Sequence, residues 1–261
     1  MTGTWNFDRD EIRGKLCGKG IKAFLLNTPH NPTGKVFTEE ELKFLTQIFI
    51  EEDIILVTDE IYEHILFAPH NHICCATLPG MRERTVVVQS ISKTASATGW
   101  RIGWIISPPH ITYKIRAVHD SIVIQAPTPL QKGVERFLRL PTEYFTEHIA
   151  STYVPKRALL CEALAAVGFK LSVPEGAYYV FTQYRNVPAL SKKSPLDAAM
   201  FMIETIGVAP VPGDGFYQEG DFGEAYMRFT FVRSLGLLEE AAEKLKKLHD
   251  YDEDGNLKAS I

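Results

Sequence analysis

Four consecutive apolar residues, Ile54-Ile55-Leu56-Val57, leave a strand no polar face, so they predict a parallel strand buried on both sides. Such a strand needs neighbours and covering helices, and the flanking sequence supplies candidates. Lys22 to Leu26 and Thr85 to Gln89 read as further strands, and Ile102 to Ser107 as another short one. Between them Thr38 begins a helix, with Glu41 completing a capping box and Leu42, Leu45, Ile48 and Phe49 on one face. A shorter helix fits Asp8 to Leu16. Strands alternating with helices predict an α/β fold whose mostly parallel sheet is covered on both faces.

Ligand groups gather at the carboxyl ends of strands in such sheets. The Ile54–Val57 run ends in Thr58-Asp59-Glu60-Ile61-Tyr62, and the strand at Thr85 ends in Ser90-Ile91-Ser92-Lys93, with Thr98-Gly99-Trp100-Arg101-Ile102-Gly103 close behind. A lysine amine there can act as a nucleophile toward an aldehyde. The hydroxyls of Ser90 and Ser92 and the guanidinium of Arg101 suit a phosphate. An aldehyde beside a phosphate describes pyridoxal phosphate. Asp59 could pair with a protonated pyridine nitrogen and Tyr62 could donate to a phenolic oxygen, although by themselves they read more readily as a helix cap and a packed ring. The turn Asn27-Thr28-Pro29-His30-Asn31-Pro32-Thr33-Gly34 follows the first strand.

These motifs, in this order, resemble the class I and II aminotransferases, the fold type I pyridoxal-phosphate enzymes, over nearly the whole chain. The resemblance implies that Lys93 holds the cofactor as a Schiff base and moves the catalytic proton. Asn31 and Tyr62 would contact the ring 3-oxygen, Asp59 the ring nitrogen, and Ser90 and Arg101 the phosphate. Asn31 would also meet the substrate carboxylate, whose main partner would be Arg228. That arginine lies in Tyr226 to Phe231, a strand of alternating character that sets it opposite Met227 and Phe229; Arg233 is the competing candidate.

Thr-Pro-His-Asn-Pro-Thr-Gly and Thr-Gly-Trp-Arg-Ile-Gly look most like the branch acting on aromatic amino acids, kynurenine, methionine or glutamine. The implied reaction moves an amino group from an L-amino acid to a 2-oxo acid. A pyridoxal-phosphate β-lyase or an aminocyclopropane-carboxylate synthase shares nearly all these residues. Complete members carry a segment before the first strand, with a phosphate loop, so a non-catalytic remnant is a further reading. Members form homodimers, and Ser121 to Pro129 resembles their loop near the dimer interface.

Pro141-Thr142 reads as the boundary between a partial cofactor domain, 1–141, and a smaller α+β domain, 142–261. The latter would open on a helix from Glu143 to Val167, with Pro155 at a kink or break. Strands at Phe169 to Ser172 and Tyr178 to Thr182 would follow, then helices at Pro195 to Thr205 and Glu239 to Leu248. Two more helices fit Ile111 to Val123 and Pro129 to Leu140. Tyr251 to Ile261 reads as a mobile polar tail.

A net charge of −4 gives no electrostatic case for nucleic acid or an acidic membrane, and no apolar run suffices to span a bilayer. The four cysteines lack Cys-x-x-Cys spacing and read as reduced thiols in a cytoplasmic compartment, an organelle address lying on any preceding segment. His70 and His72 lack the further ligands that a metal site needs, so no metal is expected.

Overall fold

A computed structural model describes residues 5–218 and 222–258. The chain divides into two compact units. One comprises Asn6–His30 and Val36–Ala150; the other comprises Trp5, Asn31–Lys35 and the chain from Ser151 onward.

The first unit is built on a four-stranded sheet of β1 (Ala23–Asn27), β2 (Ile55–Asp59), β3 (Thr85–Ser90) and β4 (Gly103–Ile106), in that order. The first three strands are parallel and β4 is antiparallel to β3. Helices α1 (Arg9–Leu16) and α2 (Glu39–Glu51) cover one face. Helix α2 starts where its sequence dictates. The Thr38 hydroxyl accepts from the Glu41 amide, and the Glu41 carboxylate accepts from the Thr38 amide. Leu42, Leu45, Ile48 and Phe49 are buried against Leu26, Ile54 and Leu56 in one core.

Burial on both faces does not hold throughout the sheet. Leu25 is 72% exposed, Ile55 37% and Ile106 61%. Alternate residues of β1 and β2 point away from α2, and these positions are left partly or largely exposed. The remaining elements of this unit are the short helix α3 (Ile91–Thr94), then α4 (Pro109–Ile122) and α5 (Thr128–Phe137).

The chain passes to the second unit along α6 (Ile149–Ala166). The expected helix from Glu143 is present as one continuous helical run: a wider π-helical turn at Tyr144–His148 passes directly into α6, and Pro155 lies inside α6 without breaking it. The second unit holds a four-stranded antiparallel sheet in the order β5 (Lys170–Leu171), β6 (Tyr179–Gln183), β8 (Tyr226–Thr230), β7 (Val211–Pro212). Helices α7 (Pro195–Phe201) and α8 (Leu235–Leu245) complete it. Ser234 caps α8, which therefore begins earlier than Glu239.

The expected mobile tail is corrected as far as Lys258. The Asp252 carboxylate accepts from the amides of Asp254 and Asn256, Gly255 adopts a left-handed φ of 83°, and Tyr251 bridges Leu257. The end of that tail, from 259, lies outside the described residues.

Candidate active site

Parallel pairing brings the ends of β2 and β3 side by side, with Asp59 opposite Val88 in register. Asp59 closes β2 and is half-buried; its Oδ1 accepts from the Ile61 amide at 3.3 Å. Burial raises its carboxyl pKa above the ordinary value, while the Ile61 amide and the charge of Lys93 pull it back down. Tyr62, in the turn after β2, is 2% exposed, and Lys93 Nζ stands 5.9 Å from the centre of its ring. Thus the carboxylate, phenol and amine singled out from the sequence belong to one unit and converge at neighbouring strand ends.

Ser90 ends β3 and caps α3, accepting from the Ser92 amide at 3.0 Å. Its Oγ also lies 2.6 Å from Ser92 Oγ and 3.0 Å from the Ile102 carbonyl, with one proton to give to either. Arg101 is exposed, holds a left-handed φ of 55°, and donates from Nη1 to the Thr98 carbonyl at 3.1 Å.

Ser90, Ser92 and Arg101 line a cavity of about 520 Å³ together with Arg116 and His119 of α4. Asp59, Tyr62 and Lys93 are not in its walls. Sequence reasoning missed Arg116 and His119, although their spacing of three along a predicted helix was a signal that they share a face.

The other two candidates lie in the second unit, and they touch. Arg228 Nη1 donates to Asn31 Oδ1 at 2.9 Å, and its guanidinium lies over the rings of Tyr179 (4.4 Å) and Phe216 (5.0 Å). The strand alternation sets Met227 and Phe229 into the core and leaves Arg228 half-buried on the opposite face. Arg233 is exposed and lies beyond the strand. Asn31 is held by its own turn. Gly34 has a left-handed φ of 73°, and its carbonyl accepts from the amides of Glu175 and Gly176 at 2.9 and 2.8 Å.

The first unit thus brings an amine near a phenol ring and a carboxylate, and the second pairs an arginine with an asparagine. The sequence matches the family Aminotransferase class I and II over residues 2–245. The chain belongs to this family. It is 35% identical to human kynurenine–oxoglutarate transaminase 1, an alignment covering 94% of this chain and 62% of that protein.

Among solved structures of the family, it is similar to N-succinyldiaminopimelate aminotransferase from Mycobacterium tuberculosis, with a TM-score of 0.87 and 28% identity. That match covers 93% of this chain and 62% of the other. It also resembles YbdL from Escherichia coli, whose crystal structure and reactivity identify a methionine aminotransferase function, with a TM-score of 0.85 and 30% identity. There too the match covers 93% of this chain and 62% of the other. The chain therefore spans under two thirds of the length of these relatives. Class I and II aminotransferases are pyridoxal-phosphate enzymes of fold type I, and the parallel β1–β3 core with α2 across it is the corresponding part of that fold.

The residues present fit the cofactor chemically. Lys93 matches its aldehyde, Asp59 its protonated ring nitrogen, Tyr62 its ring hydroxyl oxygen, and the hydroxyls and guanidinium of Ser90 and Arg101 its phosphate. Among the described residues no helix is long and apolar enough to cross a membrane.

Proposed function

We propose that this chain carries the chemistry of an aminotransferase that moves the amino group of an L-amino acid to a 2-oxo acid. The observation that carries this reading is the approach of Lys93 to Tyr62 at strand ends that also present Asp59. Lys93, Asp59, Tyr62, Ser90 and Arg101 would hold pyridoxal phosphate, with Asn31 a further contact to its ring oxygen. When bound, that group supplies the electron sink for the substrate's α-carbon.

The protein's own side chains do the rest. Asp59, ionised, holds a proton on the ring nitrogen; the cost of its burial is offset once it faces that cation. Lys93 Nζ would take the proton from the α-carbon of the amino donor and, in the reverse half of the exchange, would deliver a proton to the α-carbon of the incoming 2-oxo acid. Arg228 offers five N–H donors in a planar fork, of which Asn31 engages one Nη1, and so orients the α-carboxylate.

The kynurenine transaminases among its relatives support an aromatic, kynurenine, methionine or glutamine type of amino donor. Family membership supports a homodimer, and the exposed Tyr113 and Ile122 on α4 agree with an uncovered apolar face. The four free thiols support a reducing, cytoplasmic compartment.

The test is transfer of the amino group from L-kynurenine, L-phenylalanine, L-methionine or L-glutamine to a 2-oxo acid by the purified chain supplied with pyridoxal phosphate. New amino acid that depends on both Lys93 and Arg228 supports the reading. Absence of transfer with every donor refutes it for this chain.

A further inference from the structure

Directly behind Asp59 lies a buried group of ionisable side chains that the proposed reaction does not use. Glu60 is fully buried, and both carboxylate oxygens are engaged. Oε2 accepts from His72 Nε2 at 2.8 Å; Oε1 accepts from the Thr58 hydroxyl at 3.1 Å and the Cys75 amide at 3.2 Å. The His72 side chain is 8% exposed, and its Nδ1 has no hydrogen-bond partner among the described residues, so the ring directs its donor at Glu60.

Glu63 lies alongside, hydrogen-bonded to Gln89 and 3.4 Å from His64 Nε2. One ligand-type atom each from Glu60, Glu63 and His72 fall within 4.8 Å of one another, the make-up of a small cation site. Protein donors already satisfy Glu60, however, so the group is complete without a cation.

These bonds join three segments. Glu60 follows Asp59 directly, donates its amide to Val88 of β3, and accepts from the Glu63 amide within the turn that carries Tyr62. His72 and Cys75 belong to the long connection between that turn and β3, and Gln89 immediately precedes Ser90. A buried carboxylate that loses a hydrogen-bond donor is left with an unsatisfied oxygen, which is penalised and drives rearrangement.

We propose that Glu60 and His72 are positioning residues: their buried pair fixes the strand end that presents Asp59 and Tyr62. The inference rests on the cofactor reading above for its consequence in binding, and on local order for its direct test.

Hydrogen exchange should be measured on the full chain, residue by residue, together with pyridoxal-phosphate affinity. In His72→Leu, exchange at the amides of Glu60, Ile61, Glu63 and Cys75 should rise at least about 10-fold, with α2 and β8 unchanged, and cofactor affinity should fall about 10-fold. His72→Gln, which keeps a donor, should stay within about twofold of the parent in both measurements. If His72→Leu does not fold, Glu60→Gln keeps the shape without the charge and should raise exchange at the same amides by about threefold.

Unchanged exchange there, or a rise spread over α2 and β8 as well, overturns the inference. So does raised local exchange with undiminished cofactor affinity. If the parent chain binds no cofactor, the aminotransferase reading fails separately, and the exchange pattern still decides whether the pair orders this strand end.

Discussion

Replacing Gly34 by alanine should damage the second unit far more than one methyl group suggests. A Cβ at this position would lie 2.6 Å from Pro174 Cβ, 3.0 Å from Pro174 Cα and 3.1 Å from the Gly176 carbonyl oxygen. Two of these neighbours are backbone atoms and the third belongs to a rigid ring, so no flexible side chain can move aside. The φ of 73° adds the cost of a left-handed conformation, about 1–2 kcal/mol for a residue with a Cβ. Overpacking of a tight contact adds about 1–3 kcal/mol.

Together these give a loss of about 2–5 kcal/mol. With a urea slope of about 2 kcal/mol per molar, the unfolding midpoint of the affected transition should fall by about 1–2.5 M. The control is Gly14→Ala in α1, where a Cβ meets nothing within 4 Å. Alanine there should raise stability by about 1 kcal/mol through helix propensity. A Gly34→Ala midpoint within about 0.3 M of the parent, outside the error of such fits, would refute the reasoning. It would mean that the Asn31 turn is not clamped against the Pro174–Gly176 segment.

Arg228→Lys should lower kcat/KM by about 10- to 100-fold, because an ammonium cannot hold both Asn31 and a carboxylate in the guanidinium's plane; steady-state kinetics check this. Asp59→Asn should stabilise the cofactor-free chain. Burial raises the carboxyl pKa, so the folded state prefers the protonated form and loses stability as pH rises through that raised value. The gain in melting temperature from the amide should therefore be absent in acid and present at neutral pH, alongside weaker cofactor binding. Thiol labelling of the native chain should favour the half-buried Cys17. Burial pushes Cys74 up to about 11, and Cys75 and Cys161 up to about 12, which leaves little thiolate at neutral pH. A thiol-specific reagent followed by mass spectrometry separates the four.

What the sequence disclosed was set by local chemistry. Thr38 and Glu41 lie three residues apart and cap α2 by themselves, so that boundary was legible. The alternation around Arg228 placed it on the half-buried face for the same reason. The short strand β7 was not legible. Pro210 and Pro212 argue against a strand there, which exists through its pairing with the distant β8. Burial was equally non-local: Ile55 looks like Ile54 in sequence, yet one faces α2 and the other does not. Glu60 and His72 lie twelve residues apart, and only tertiary packing buries them together. The tail carried turn signals in Asp252 and Gly255 that its overall polarity masked. Among the site residues, neighbouring strand ends explain the convergence of Asp59, Tyr62 and Lys93. The hydrogen bond between Asn31 and Arg228 joins residues far apart in the chain, and no pattern within either segment announces it.

The central claim is that Lys93 is the residue that bonds the cofactor. It is tested most directly by incubating the chain with pyridoxal phosphate, reducing with borohydride, digesting with trypsin and locating the phosphopyridoxyl group by mass spectrometry. The account predicts one dominant site, Lys93, within an uncut peptide from Thr85 to Arg101, and loss of that label in Lys93→Ala. Label spread over surface lysines such as Lys114 and Lys192, with no preference for Lys93, would contradict it.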